Sequence, residues 1–124
     1  MNAAPIVSPS IVGTYLEAKA KLGMTIYYSE LVDHFGLPPL GANFSANPLC
    51  LIFEEIDRED AHAKRPFRTS VVIAKRSDKS GEMPGNGFFE ALERLKGISD
   101  PRNEQARKIL WFSELNATHL YPWP

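Results

Sequence analysis

Residues 70–89, SVVIAKRSDKSGEMPGNGFF, decide the fold because they join a strand, a turn and a helix in one run. The apolar run from Val71 to Ala74 is continuous rather than alternating, which is typical of a strand covered on both faces. We therefore predict a strand over residues 67–75. Residues 76–87 then predict a charged turn and a glycine-rich loop. A short strand that returns along the first one is an alternative for part of this segment.

The loop leads into a helix whose apolar residues recur at i, i+3, i+4 and i+7. Gly97 follows the last of them and is a suitable residue to end the helix in the left-handed conformation. The apolar positions that define this helix are Phe88, Ala91, Leu92 and Leu95.

A first helix is predicted upstream, because Ser8 followed by Pro9 is a favourable N-terminus and Gly23 a favourable end. Periodicity assigns its apolar face to Ile11, Tyr15, Ala18 and Leu22, with Val12 and Leu16 beside them.

The remaining elements follow from the same signals. Residues 24–26 predict a short extended segment, and residues 28–35 a second helix that ends at Gly36. Asn47 followed by Pro48 predicts a third helix that runs to about residue 63. Asp100 followed by Pro101 predicts the last helix, to about residue 116, with residues 1–7 loose and residues 117–124 an extended tail.

The predicted order is helix, short strand, helix, helix, strand, loop or strand, helix, helix. The first seven of these elements follow the order of a winged-helix domain, in which two helices after a short strand pack under a hairpin. We predict a single α+β domain over residues 1–124, winged-helix-like, with about five helices and a small antiparallel sheet or hairpin.

Composition narrows the class of protein. A chain of 124 residues is long enough for one core, and its net charge of −1 creates no global attraction for nucleic acid or anionic lipid. No apolar run approaches the length of a membrane span, and the first residues lack the features of a signal peptide. Cys50 is the only cysteine, which fits a reducing compartment, so we expect a cytoplasmic protein with no membrane partner.

Residues 22–37 resemble the opening of the DNA-binding domain of alkylguanine-DNA alkyltransferases and alkyltransferase-like proteins. One extra residue separates Thr25 from Tyr28 here, and Asn47-Pro48-Leu49 resembles the asparagine-proline after their recognition helix. The matching residues are Thr25, Tyr28, Glu30, Leu31, Gly36 and Pro38.

The chain is more closely similar to a scattered group of small bacterial proteins with no assigned activity. Their pattern pairs an MTY-x-E-L start with a later strand and a PG-x-GFF loop, and it implies a fold rather than a function. The residues that match this loop are Pro84, Gly85, Gly87, Phe88 and Phe89.

The departures from the alkyltransferases exclude their reaction. Those enzymes need a nucleophilic cysteine in a proline-cysteine-histidine-arginine motif, whereas Pro66-Phe67-Arg68 carries neither cysteine nor histidine. Residues 36–48 also lack the arginine with which that family extrudes a base. We therefore expect no alkyl transfer and, more broadly, no enzyme.

The loop residues Gly85, Asn86 and Gly87 precede a helix, where backbone amides can bind an anion. Their spacing matches no phosphate-binding fingerprint. The favoured interpretation is a tight turn that buries Phe88 and Phe89, with an anion site as the alternative.

Charge is unevenly distributed along the chain. Residues 64–79 contain six basic residues and one acidic residue, whereas residues 54–60 contain five acidic residues and one basic residue. A basic hairpin is a plausible contact for phosphates, but the acidic helix would repel them, so mutual neutralisation is the favoured interpretation. The basic residues of this hairpin are Lys64, Arg65, Arg68, Lys75, Arg76 and Lys79.

No metal site or catalytic group is predicted. The three histidines lack metal-site spacing, and Glu54, Glu55 and Asp57 do not share one helical face. We expect no cofactor and no metal.

The last helix is apolar over much of its girth, so it must bury two faces. One face can meet the core, and the other either meets a partner chain or is covered by the tail. The candidate interface residues are Trp111, Phe112, Leu115, Tyr121 and Trp123.

These observations favour a non-catalytic binding module that acts through contacts with a protein partner or a second copy. The alternative is a nucleic-acid-binding winged helix that uses the basic hairpin 64–79, of which sensing alkylated DNA without transfer is a narrower form.

Overall fold

The computed structural model describes residues 8–37, 48–74 and 83–124. The α+β class and the five helices are confirmed, and the described elements follow one another in the predicted order up to the strand. They are α1 (Pro9–Lys21), β1 (Ile26–Tyr27), α2 (Tyr28–His34), α3 (Pro48–His62), a 3₁₀ segment (Arg68–Val71), β2 (Val72–Ile73), α4 (Asn86–Lys96) and α5 (Glu104–Leu120).

The ends of α1 are those predicted. Ser8 Oγ accepts a hydrogen bond from the Ile11 amide at 3.2 Å, and Gly23 adopts a φ of +66° just beyond the helix. The buried face differs from the prediction, because Ile11 and Leu22 are 50% and 69% exposed. The missing Cβ of Gly13 allows the Arg68 side chain to lie against α1, so Gly13 belongs to the buried face. The buried residues of α1 are Val12, Gly13, Leu16 and Ala20.

The predicted strand over residues 67–75 is shorter than expected. Residues Arg68–Val71 form a 3₁₀ segment and only Val72–Ile73 a strand. The polar side chains of Thr69 and Ser70 point inward to Asp57 and Thr118, which an alternating strand could not achieve for consecutive residues.

The predicted antiparallel sheet is wrong, because β1 and β2 pair in parallel, Ile26 opposite Val72 and Tyr27 opposite Ile73. Two helices separate the strands, and such a crossover returns the chain in the same direction. One antiparallel bridge joins Ala74 to Met83. The rest of the predicted wing, residues 75–82, lies outside the described residues, as does the predicted loose segment 1–7.

Helix α5 begins and ends later than predicted. Its N-cap is Asn103, whose side chain accepts from the Ala106 amide at 3.0 Å, whereas Asp100 is held by Arg107. The helix continues to Leu120, so the predicted tail 117–124 is helical over its first half. Pro122 cannot continue a helix, and the last four residues are not helical; the Trp123 amide donates to the Tyr121 carbonyl at 2.9 Å.

The core lies where α1, α3 and α5 meet the 3₁₀ segment, with α4 packed on α3. Trp111 of α5 reaches this centre and donates its indole N–H to the Ser70 carbonyl at 2.8 Å. The largest fully buried apolar side chains of the core are Phe67, Phe89, Leu16, Leu31, Leu49, Ile56 and Leu92.

Candidate functional site

A cleft with a volume of 550 Å³ lies between α3 and the first turns of α4, and Tyr28 of α2 closes one side. This volume is within the range of small-molecule sites in proteins, about 300–1,000 Å³. The packing of α4 on α3 and the parallel pairing of β1 with β2 together position its walls.

Aromatic rings form much of the cleft wall. Tyr28 and Phe53 lie with ring centroids 5.8 Å apart, and Phe88 projects from the first turn of α4. Phe53 and Phe88 are each less than 10% exposed, so their rings are held by the core. An apolar body can therefore pack against a rigid surface.

Asp57 is the buried acidic group of the cleft and is 5% exposed. Thr69 Oγ1 donates a hydrogen bond to Asp57 Oδ1 at 2.6 Å. Within the described ranges this is the one hydrogen bond that the Asp57 carboxyl accepts, so Oδ2 is left for a group that enters the cleft.

The surroundings of Asp57 raise its pKa to about 7. Burial is the largest cause, and the charge of Asp60 adds to it; the Thr69 hydrogen bond and the cations Arg94 and Lys96 lower the pKa by less. The carboxyl is therefore neutral in mild acid and charged above neutral pH.

Tyr28 places a hydroxyl in the same cleft and accepts a hydrogen bond from the Gly85 amide at 3.4 Å. Burial raises the pKa of Tyr28 to about 12; the Gly85 hydrogen bond lowers it, and the charge of Asp57 raises it further. The phenol thus remains protonated at neutral pH.

The rim of the cleft is acidic. Glu54, one helical turn before Asp57, and Glu90 of α4 both line it, with Arg94 as the one basic lining residue among the described residues. Arg94 Nη2 lies 3.7 Å from Glu54 Oε1, which Arg58 also contacts at 3.1 Å.

Cys50 also lines the cleft. Burial raises the pKa of its thiol, and the charges of Glu54 and Glu90 act in the same direction against Arg94. Cys50 is therefore a thiol at neutral pH, and the thiolate that a nucleophile requires is disfavoured.

The glycine loop forms the mouth of this cleft. Gly85 is the N-cap of α4, and its carbonyl accepts from the Phe88 amide at 3.2 Å. The Asn86 side chain accepts from Arg107 at 2.9 Å, and no atom lies within 4 Å of a Cβ placed on Gly87. Phe88 and Phe89 are buried, as expected, but Asn86 and Gly87 are the first residues of α4 rather than a turn before it. Gly85, Asn86 and Gly87 also line the cavity.

The sequence prediction missed the cleft, although it considered Glu54, Glu55 and Asp57 together. Glu54 and Asp57 do line one surface, as their i, i+3 spacing allows, while Glu55 does not. The signal that could have indicated the site is Asp57 four residues after Phe53, an acidic residue on the predicted apolar face.

The structure places Arg68 in the interior with a side chain 6% exposed. Its guanidinium contacts Asp60 at 3.0 Å, Glu59 at 3.1 Å and Glu17 at 3.3 Å. A buried, paired guanidinium is not placed to contact phosphates.

Arg65 belongs to the same network, with Nε 2.6 Å from Asp60 and Nη2 2.8 Å from Glu59. The acidic helix and the two arginines therefore neutralise each other. Lys64 is exposed, and Lys75, Arg76 and Lys79 lie outside the described residues.

Most of the predicted interface on α5 is internal. Trp111 and Leu115 are at most 9% exposed, and Trp123 is 7% exposed, with its indole N–H donated to the Thr118 carbonyl at 2.8 Å. Tyr121 packs on Trp123 with ring centroids 4.4 Å apart, so the end of the chain covers its own helix.

Phe112 differs from the other predicted interface residues because it is 51% exposed. Ile109 and Leu120, on the same side of α5, are 72% and 76% exposed. These three residues form a stripe, which we call the α5 stripe.

Comparisons with family models, with curated proteins and with solved structures give no match. Within residues 8–37, 48–74 and 83–124, no group of three or more His, Cys, Asp or Glu side chains is arranged to hold a metal ion. In the same part of the chain no helix has the length and apolar character needed to cross a membrane.

Proposed function

We propose that the protein is a non-catalytic binding module whose ligand occupies the cleft between α3 and α4. The observation that supports this most strongly is Asp57, a buried carboxyl that lines a cavity of ligand size and whose Oδ2 accepts no hydrogen bond from the described residues. Among the described residues no fully buried side-chain nitrogen or oxygen lacks a hydrogen-bond partner, so an Oδ2 without one is open to the cleft rather than sealed in the core. A polar oxygen placed in a largely apolar cavity is a typical feature of a binding site.

Binding is favoured over chemistry by the groups around Asp57. The nearby thiol of Cys50 has a raised pKa, and Tyr28 remains a neutral phenol. An activated nucleophile needs the opposite shift.

The test is a fragment screen on ¹⁵N-labelled protein, with the variant Gly87→Leu as the blocked form. A side chain at position 87 meets open space, so the variant folds and fills the mouth of the cleft. We expect fragments to move the amide signals of Gly85 and Gly87 in the wild type, and to lose affinity in Gly87→Leu. If no fragment perturbs these signals, or if Gly87→Leu binds equally well, the proposal is wrong.

Protein contact through the α5 stripe is a second candidate function, supported by the exposure of Ile109, Phe112 and Leu120. Phe112→Glu should reduce the sedimentation mass of any self-associated form. Leu51→Glu, on α3 and 67% exposed, is the matched control. A wild-type monomer over the whole concentration range would contradict self-association through this stripe.

A winged-helix relationship and a cytoplasmic location remain proposals. The order from α1 to β2 supports the first, and a wing would lie between Ala74 and Met83. Nucleic-acid binding by residues 64–79 gains no support from Arg65 and Arg68, because both side chains are engaged within the fold.

A further inference from the structure

Among the residues that the structure describes, the ionisable groups that line the cleft carry a net negative charge once Asp57 is ionised. Three carboxylates, those of Glu54, Asp57 and Glu90, face one guanidinium, that of Arg94. Arg94 already contacts Glu54, and within residues 8–37, 48–74 and 83–124 no second basic residue lines the cleft beside Asp57 and Glu90.

The positive end of the α4 helix dipole does not reverse the negative charge of the cleft lining. A helix dipole places about half a positive charge at its first turn, less than the excess of carboxylates. The Gly85 amide already donates to Tyr28 and the Phe88 amide to the Gly85 carbonyl, so two of the donors that would bind an anion are engaged.

The aromatic wall adds to the preference for a cation. Tyr28, Phe53 and Phe88 line the cleft, and a cation over the face of an aromatic ring is attracted to it, more strongly when water is excluded. The ring faces also accept the apolar part of a ligand.

We propose that the cleft binds a small organic amine in its cationic form, with the ammonium at Asp57 Oδ2 and its apolar body against Phe53 and Phe88. This inference rests on the proposed function and names the ligand class of the same site. The ammonium donates one hydrogen bond to Oδ2, and Thr69 holds Oδ1, so the carboxylate is fixed in orientation.

Three probes of the same shape test the charge preference. Benzylamine, benzyl alcohol and benzoate share a ring and differ in being cationic, neutral and anionic. At pH 8, where Asp57 is ionised, benzylamine should bind about tenfold more tightly than benzyl alcohol, because one charge-assisted hydrogen bond is gained. Benzoate should be the weakest, and the shifts should map to Gly85 and Gly87.

Two variants test whether the preference for benzylamine depends on the Asp57 carboxylate. Asp57→Asn keeps the oxygen that accepts from Thr69 and should remove most of the preference for benzylamine over benzyl alcohol. Glu55→Gln removes a carboxylate from the same helix that does not line the cleft, and should leave the preference unchanged. If Asp57→Asn does not fold, Glu54→Gln is the substitute, with a smaller expected loss because Arg58 already pairs with Glu54.

The outcomes separate the two proposals. Tighter binding of benzyl alcohol or benzoate in the cleft would overturn the amine class and leave the binding cleft in place. An amine preference that survives Asp57→Asn would also overturn the inference. Failure of all three probes, together with an empty fragment screen, would overturn the proposed function itself.

Discussion

Asp57 illustrates how a single residue links burial, protonation and binding. Asp57 is 5% exposed, and among the described residues its carboxyl receives one hydrogen bond, from Thr69, so ionisation inside the fold is disfavoured. Burial raises the pKa of Asp57, and the charge of Asp60 on the same helix adds to this effect. Arg94 and Lys96 of α4 and the Thr69 hydrogen bond lower the pKa, but by less, and the neutral Tyr28 of α2 does not change this balance.

This shift predicts a pH dependence of stability. The folded pKa of about 7 is raised above the ordinary value of 3.8, so the folded state holds the proton more tightly than the unfolded state. The contribution is greatest at low pH and is lost as the pH rises from about 4 to about 7.

The variant Asp57→Asn should not show this loss of stability as the pH rises. Relative to the wild type, the free energy of unfolding of the variant should rise by up to about 3 kcal/mol between pH 5 and pH 8. The measurement is urea unfolding at both pH values, with Glu55→Gln as the control. A difference between variant and wild type that does not change with pH would contradict the assignment.

In helix α1, packing against Arg68 outweighs the low helix propensity of glycine at position 13. Gly13 lies in its middle, where alanine normally stabilises a helix by about 1 kcal/mol. A Cβ on Gly13 would lie 2.6 Å from Arg68 Nη1, and Asp60 and Glu17 hold that guanidinium in place.

Gly13→Ala should therefore destabilise the protein, by about 1–3 kcal/mol, because the ion-paired arginine must move. Gly87→Ala, in a first helical turn with open space around it, is the matched control and should be neutral or stabilising. Thermal unfolding of both variants decides the point. A more stable Gly13→Ala protein would show that Arg68 is not held against α1.

Local signals explain which elements the sequence could predict. Ser8-Pro9 and Gly23 act within a few residues, and the ends of α1 were predicted correctly. The start of α5 was not, because Asp100 and Asn103 are both suitable N-caps and the choice depends on Arg107, which binds Asp100 through two nitrogens. The parallel pairing of β1 with β2 depends on a crossover that no local pattern encodes.

At the scale of the whole molecule, buried charge replaces the basic surface that the sequence predicted. Arg65 and Arg68 join α1, α3 and the 3₁₀ segment through Glu17, Glu59 and Asp60. Trp123 returns from the end of the chain to lie 5.8 Å from both guanidiniums. Charge counting along a sequence cannot distinguish an exposed cluster from such a network.

The cleft is likewise a property of the whole molecule. Its residues come from α2, α3, the 3₁₀ segment and α4, which are far apart in sequence. The sequence predicted the helix α4 but placed residues 85–87 in a turn before it, whereas Asn86 and Gly87 are its first residues. It could not predict that Asp57 and Tyr28 face the same cavity, since that depends on how α3 and α4 pack.

The most direct test of the account is the ¹³C chemical shift of the Asp57 carboxyl, followed from pH 4 to pH 9 with and without benzylamine. We predict a pKa of about 7 in the protein alone and a clearly lower value with the amine, because the bound cation favours the carboxylate. A pKa near the ordinary 3.8, or a titration that benzylamine does not change, would contradict the binding site proposed for this cleft.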